Sequence, residues 1–165
     1  MEIVIPREII DIVKKLNENG HQAYPVGGCV RDVLRGVKPQ DWDITTDANP
    51  EEIQKVFPES FYENKFGTVT VLTGSEDPSV KEVEITPFRI EAKYTDKRHP
   101  DDIRFASNLE EDLKRRDFTI NALALSGVEG MAESKIEIID LFNGQEDLKN
   151  SIVRTVGDPN ERFGE

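Results

Sequence analysis

Residues 27–46 read GGCVRDVLRGVKPQDWDITT, and this stretch indicates both the fold class and the chemistry of the chain. Gly27 and Gly28 allow the backbone to approach a phosphate closely, and the amides of a helix that begins there can point at it. Asp41 and Asp43 are two residues apart, so both carboxylates lie on the same face of an extended strand. Two neighbouring carboxylates repel each other, and a divalent cation relieves that repulsion. The stretch therefore predicts a nucleotide site, with a phosphate-binding turn beside a cation.

The composition limits the classes of protein to consider. The 165 residues are enough for one domain with a single core. No apolar run approaches the ~20 residues that span a bilayer, so we expect a cytoplasmic protein with no membrane partner. One cysteine excludes an internal disulfide framework and a cysteine zinc cluster. The net charge of -12 disfavours a broad nucleic-acid surface, because phosphate contacts need Lys and Arg; an RNA partner would require a local basic patch, bound metal or further domains.

The order of predicted elements indicates an α+β fold. Asn49 begins a capping box, with a proline in the first turn of the helix that follows. Residues 67–73 are rich in β-branched side chains, and residues 81–89 return as the second strand of a hairpin. Residues 91–106 are charged and predicted to form a mobile loop. Ser107 is predicted to cap a helix that leads into the next pair of arginines.

A third carboxylate is available on the second hairpin strand. Glu84 lies between two apolar residues and should face away from the core, and Glu82 on the same face is the alternative. Three carboxylates on adjacent strands can hold two Mg²⁺ ions ~3.5–4 Å apart for in-line phosphoryl transfer. The competing interpretation of Asp41 and Asp43 is a pair of solvated surface acids.

Arginines near these acids are candidate phosphate ligands. Arg31 lies one helical turn beyond the glycine pair. Asp32 is an alternative third metal acid, but a salt bridge that orients Arg31 or a nearby backbone group is the preferred interpretation. Arg116 precedes Asp117 and Asn121, which are four residues apart and would share a helix face suited to a ribose hydroxyl. The alternative for this segment is a helix terminus with surface charges.

Five motifs, in this order, resemble the head of the class II CCA-adding enzyme and bacterial poly(A) polymerase family: GGCVRDVLRG, DWDIT, RRDFTINALAL, IDLFNGQEDL and RTVGDPNERFGE. This family belongs to the nucleotidyltransferases of the DNA polymerase beta type. The resemblance implies a nucleotidyltransferase fold, with a mixed, mostly antiparallel sheet and helices packed on one side. It also implies a catalytic head over residues 1–157 and the start of a neck helix over 158–165, with the domains that grip tRNA outside the chain.

The resemblance assigns roles to the candidate residues. It places the triphosphate on the glycine pair and Arg31, catalytic magnesium on the two aspartates, and phosphate and ribose on Arg116 and Asp117, with Asn121 beside them. The loop at residues 94–105 would help switch between C and A addition. The helix that selects CTP or ATP would begin at Glu165.

The implied activity is template-independent transfer of nucleotides from CTP and ATP to the tRNA 3′ end, with two Mg²⁺ ions as cofactors. Rivals within the fold are a poly(A) polymerase and an enzyme limited to CC or A addition. A small nucleotidyltransferase acting on a drug or a protein is a further enzyme alternative. A non-catalytic nucleotide- or metal-binding module is the alternative from another class.

Overall fold

The computed structural model describes residues 3–63, 67–90, 104–128 and 136–162. Its helices are α1 (Arg7–Glu18), α2 (Gly28–Leu34), α3 (Pro50–Val56), α4 (Pro78–Lys81), α5 (Leu109–Lys114), α6 (Gly144–Lys149) and α7 (Pro159–Arg162). Its strands are β1 (Ala23–Pro25), β2 (Asp43–Thr46), β3 (Ser60–Glu63), β4 (Thr68–Leu72), β5 (Glu82–Pro87), β6 (Arg89–Ile90), β7 (Arg104–Phe105), β8 (Leu123–Ser126) and β9 (Glu137–Asp140). None of the helices in these ranges combines the length and apolar composition that crossing a membrane requires.

The main sheet has five strands in the order β1-β2-β5-β4-β3. Strands β2 and β5 are parallel, whereas the other three neighbouring pairs are antiparallel. The predicted hairpin is confirmed as β4 and β5, with α4 in its connection. The predicted mixed, mostly antiparallel α+β fold is therefore confirmed.

One face of this sheet is apolar and packs against α1, α2 and α3. Register pairing places Ile44, Ile85 and Val69 in one row across three strands. These side chains are fully buried with side chains of the three helices, namely Ile9, Val13, Val30 and Ile53. Each such burial contributes about 1.5–3 kcal/mol to the free energy of unfolding. Because this face is filled, the polar residues that alternate along the same strands must lie on the opposite face.

Helix caps are confirmed at one helix and shifted by one residue at another. Asn49 Oδ1 accepts a hydrogen bond from the Glu52 amide at 3.0 Å, and the Asn49 amide donates to Glu52 Oε2 at 2.8 Å, which is the predicted capping box. At α5 the predicted cap, Ser107, is wrong. Asn108 is the cap, since its Oδ1 accepts from the Glu111 amide at 3.0 Å.

Two other predicted boundaries are corrected. The extended strand predicted to carry both Asp41 and Asp43 begins at Asp43, and Asp41 lies in a bend before it. The predicted loop over 91–106 ends in β7, which pairs with β6. The rest of that loop, residues 91–103, lies outside the described residues.

Candidate active site

Two carboxylates lie side by side on the parallel central strands. Asp43, the first residue of β2, is the register partner of Glu84 on β5. Burial, and then the charges of Glu84 and Asp41, raise the pKa of Asp43 to about 6, while Arg116 acts in the opposite direction. The raised pKa reflects first the burial of the carboxylate and then its repulsion by the two neighbouring acids, and a bound cation would offset both.

The other two candidate acids lie at the margin of this pair. Asp41 is exposed in the bend before β2, and Glu82 is exposed at the start of β5, where its register partner is Leu72. Among the described residues, no group of three or more His, Cys, Asp or Glu side chains is arranged so that it could hold a metal ion. The expected three acids are therefore not gathered into one ligand set. Mg²⁺ usually takes one or two carboxylates and completes its shell with water and substrate phosphates, so the paired carboxylates fit it chemically.

Gly27 brings the backbone close to Asp43 and Arg116. Its φ of 85° lies in the region that favours glycine, and its amide donates to the Leu123 carbonyl at 3.0 Å. A Cβ at this position would lie 3.0 Å from Arg116 Nη1 and 3.9 Å from Asp43 Oδ2. A side chain here would thus be strained and would crowd both charged groups.

Arg31, projecting from α2, is held by two acceptors. Its Nε donates to Asp32 Oδ1 at 2.9 Å, which confirms the expected salt bridge, and its Nη1 donates to Asn121 Oδ1 at 2.7 Å. Asn121 Nδ2 in turn donates to Asp117 Oδ1 at 3.3 Å. The helix predicted to carry Asp117 and Asn121 is wrong, because α5 ends earlier and residues 119–121 form a short 3₁₀ turn. The contact between the two side chains forms nevertheless.

A buried carboxylate that the sequence analysis missed organises the arginines. Asp112 is fully buried, and its Oδ1 accepts from Arg115 Nε and the Arg89 amide, each at 3.1 Å. Its Oδ2 accepts from Arg116 Nη2 and Thr45 Oγ1, each at 3.3 Å. A buried charge needs such a full set of partners. In the sequence, the available signal for this role is that the two arginines follow the acid by three and four residues.

Two of these acids and three arginines line one cleft of about 430 Å³. Its charged lining consists of Asp43, Glu84, Arg89, Arg115 and Arg116. Arg89 was not singled out in the sequence. Carboxylate oxygens suit a hard cation and guanidinium groups suit phosphates, so the cleft has the chemistry of a metal–phosphate site.

Cys29 lies in the first turn of α2 and packs in the hydrophobic core. The thiol is buried and its Sγ donates to the Val26 carbonyl at 3.3 Å. Burial raises the pKa of this thiol to about 12, so it does not supply a thiolate nucleophile near neutral pH.

Comparison with known proteins identifies the family to which the chain is similar. A model of the poly(A) polymerase head domain matches residues 23–154. A CCA-adding enzyme of Lactobacillus helveticus is 51% identical over 155 residues, covering 93% of this chain and 36% of the relative. A CCA-adding enzyme of Enterococcus faecalis is 48% identical over 160 residues, covering 96% and 36%.

Solved structures of CCA-adding enzymes also match this chain. The Bacillus stearothermophilus CCA-adding enzyme in complex with CTP has a TM-score of 0.78 at 38% identity, covering 98% of this chain and 36% of that one. The Thermotoga maritima CCA-adding enzyme complexed with tRNA has a TM-score of 0.66 at 28% identity, covering 94% and 34%. The chain spans just over a third of the length of the curated relatives it matches.

Proposed function

Because this chain belongs to the poly(A) polymerase head domain family, we propose that it is the catalytic domain of a nucleotidyltransferase that extends RNA 3′ ends without a template. The specific reaction we propose is CCA addition to tRNA from CTP and ATP, the activity for which its curated relatives are named. Residues 1–157 would form the catalytic head, and residues 158–165 would begin the next helix. The single observation that carries the proposal is the Asp43–Glu84 pair beside the Gly27 turn.

The carboxylates would hold the metal. We assign two Mg²⁺ ions to Asp43 and Glu84, with Asp41 as a further ligand that would have to join this pair from the bend before β2. Glu84 is preferred to Glu82 because it is the register partner of Asp43. Bound there, magnesium would lower the pKa of the attacking 3′ hydroxyl and offset charge on the triphosphate. Phosphate oxygens of the nucleotide would complete a ligand set that the protein leaves open.

The flanking residues would position the nucleotide. Gly27 and Gly28 let the triphosphate approach the backbone, while Arg31 and Arg116 neutralise its charge. Both guanidinium groups are held in place, Arg31 by Asn121 and Arg116 by the buried acid of α5. The exposed carboxylate of Asp117 would accept a hydrogen bond from the ribose 2′ hydroxyl.

The product of the complete gene should be tested with CTP, ATP and a tRNA that lacks its CCA end. Sequencing the extended ends should show CCA. A long run of A would instead favour a poly(A) polymerase, and CC or A alone would favour a partial enzyme. A folded protein that binds Mg²⁺ and ATP but extends no RNA would refute the proposal and favour a non-catalytic binding module.

A further inference from the structure

Arg89 is a cleft arginine to which the reaction proposed above assigns no role. Its Nη2 donates to Thr68 Oγ1 at 3.1 Å, and its backbone amide donates to Asp112 Oδ1 at 3.1 Å. Its Nε is buried, yet has no hydrogen-bond partner within the described ranges of the chain. Since buried donors are usually paired, the guanidinium is fixed in the cleft with binding capacity unused.

The charge on Arg89 is also poorly compensated. Burial and the nearby charge of Arg115 lower the pKa of Arg89 to about 10, with Asp112 acting in the opposite direction and Arg116 adding to the lowering. The group still carries its proton near neutral pH. An anion in the cleft would relieve both the missing hydrogen bond and the crowding of like charges.

The strand order places Arg89 on the side of the carboxylates away from the glycine turn. Gly27 and Arg31 adjoin β1 and β2, whereas Arg89 contacts Thr68 on β4, beyond β5. Thr68 lies 3.4 Å from Thr86, oxygen to oxygen, and Thr86 is two residues, or about 7 Å, along β5 from Glu84. Arg31 and Arg89 therefore lie on opposite sides of the paired carboxylates, while Arg116 adjoins Gly27 and lines the same cleft as Arg89.

In-line phosphoryl transfer requires a different reactant on each side of the carboxylates. The leaving pyrophosphate and the attacking oxygen lie on opposite sides of the transferred phosphorus. If the triphosphate occupies the side of the glycine turn, the acceptor must approach from the β4 side. The anion that the acceptor strand would bring to the β4 side is its phosphodiester.

We propose that Arg89 binds the phosphodiester immediately 5′ to the terminal nucleotide of the acceptor RNA, and so positions its 3′ hydroxyl at the carboxylates. This inference rests on the proposed function, because it takes the triphosphate to lie at Arg31. Arg89 would be a positioning residue for RNA, with no role in nucleotide affinity.

The test compares three charge-removing variants of the full-length gene product. RNA affinity is measured by fluorescence anisotropy with a labelled tRNA lacking CCA, and CTP affinity by calorimetry. Arg89→Gln should weaken RNA binding roughly tenfold and reduce the salt slope by about 0.7, with CTP affinity unchanged within about twofold. Arg31→Gln should weaken CTP binding instead. Arg7→Gln, which removes an exposed charge on α1, should change neither.

A modified acceptor identifies the phosphate. A neutral methylphosphonate at the terminal linkage should weaken RNA binding to the wild type, but should have little further effect on Arg89→Gln. The same replacement several nucleotides upstream should affect both proteins alike. Melting curves check folding, and if Arg89→Gln does not fold, Arg89→Met is used, which removes the charge but keeps a flexible unbranched side chain.

Three results would overturn the inference. Arg89→Gln, or Arg89→Met in its place, could weaken CTP binding as much as RNA binding, which would place the arginine on the triphosphate. It could match Arg7→Gln in RNA affinity, or lose the same affinity to the methylphosphonate as the wild type does. If Arg31→Gln leaves CTP affinity intact, the proposed nucleotide site itself fails, which is a distinguishable outcome.

Discussion

Replacing Asp43 by Asn should make the magnesium-free protein more stable, although it removes a residue we assign to catalysis. The pKa of Asp43 is raised from 3.8 to about 6 in the folded state. Between these values the folded state binds the proton more tightly than the unfolded state, so stability falls as pH rises and the loss is complete above pH 6. The difference between the two pKa values corresponds to about 3 kcal/mol, an upper figure because the side chain is only partly buried.

Asn has nearly the shape of Asp and no charge, so Asp43→Asn should recover most of this free energy at pH 8. For a chain of this size, 3 kcal/mol corresponds to a rise in Tm of roughly 6–12 °C. The gain should shrink steadily below pH 6 and be nearly absent at pH 3.5. Magnesium should raise the Tm of the wild type at pH 8 more than that of the variant, because the ion replaces the lost proton.

Thermal melts in EDTA, at several pH values, measure the effect. Asp11→Asn is the matched control, since it removes one negative charge from an exposed pair on α1. A destabilising charge on Asp43 is refuted if Asp43→Asn is no more stable than the wild type at pH 8. It is also refuted if Asp11→Asn stabilises the protein equally, which would assign the effect to net charge.

Three further substitutions test other parts of the site. Gly27→Ala should destabilise the fold by about 1 kcal/mol more than Gly20→Ala in urea unfolding, because both glycines have positive φ but only Gly27 adjoins a guanidinium; equal losses would mean strain alone. Asp112→Ala should lower the free energy of unfolding by about 3–5 kcal/mol, since it leaves buried donors unpaired; a loss below 1 kcal/mol would contradict that role. Glu84→Gln should reduce nucleotide incorporation at least 100-fold, whereas Glu82→Gln should stay near wild type; the reverse order would exchange their roles.

Local signals in the sequence predicted local structure well. The capping residues Asn49 and Glu52 and the hairpin of β4 and β5 were both recognisable, because their determinants lie within a few residues of each other. The cap of α5 was displaced by one residue, since Ser107 and Asn108 each have an acid three positions later. Adjacent equivalent caps cannot be ranked by spacing alone.

Features that depend on contacts between distant parts of the chain were harder to predict from the sequence. The pairing of Asp43 with Glu84 depends on two parallel strands separated by about forty residues, and no local pattern fixes that register. Asp112 reads as one more acid in a charged helix, and only its burial shows that it binds arginines from inside the fold. Arg89 is not part of a recognised motif, so its position in the cleft could be found only from the structure.

The parallel pairing of β2 with β5 also bears on how this protein is made. A ribosome releases Asp43 long before Glu84, and the central strand that brings them together is inserted only after the intervening segment has emerged. A nascent chain that stops short of β5 has no Asp43–Glu84 pair and lacks the strand that joins β2 to β4. Formation of the carboxylate pair therefore coincides with completion of the five-stranded sheet.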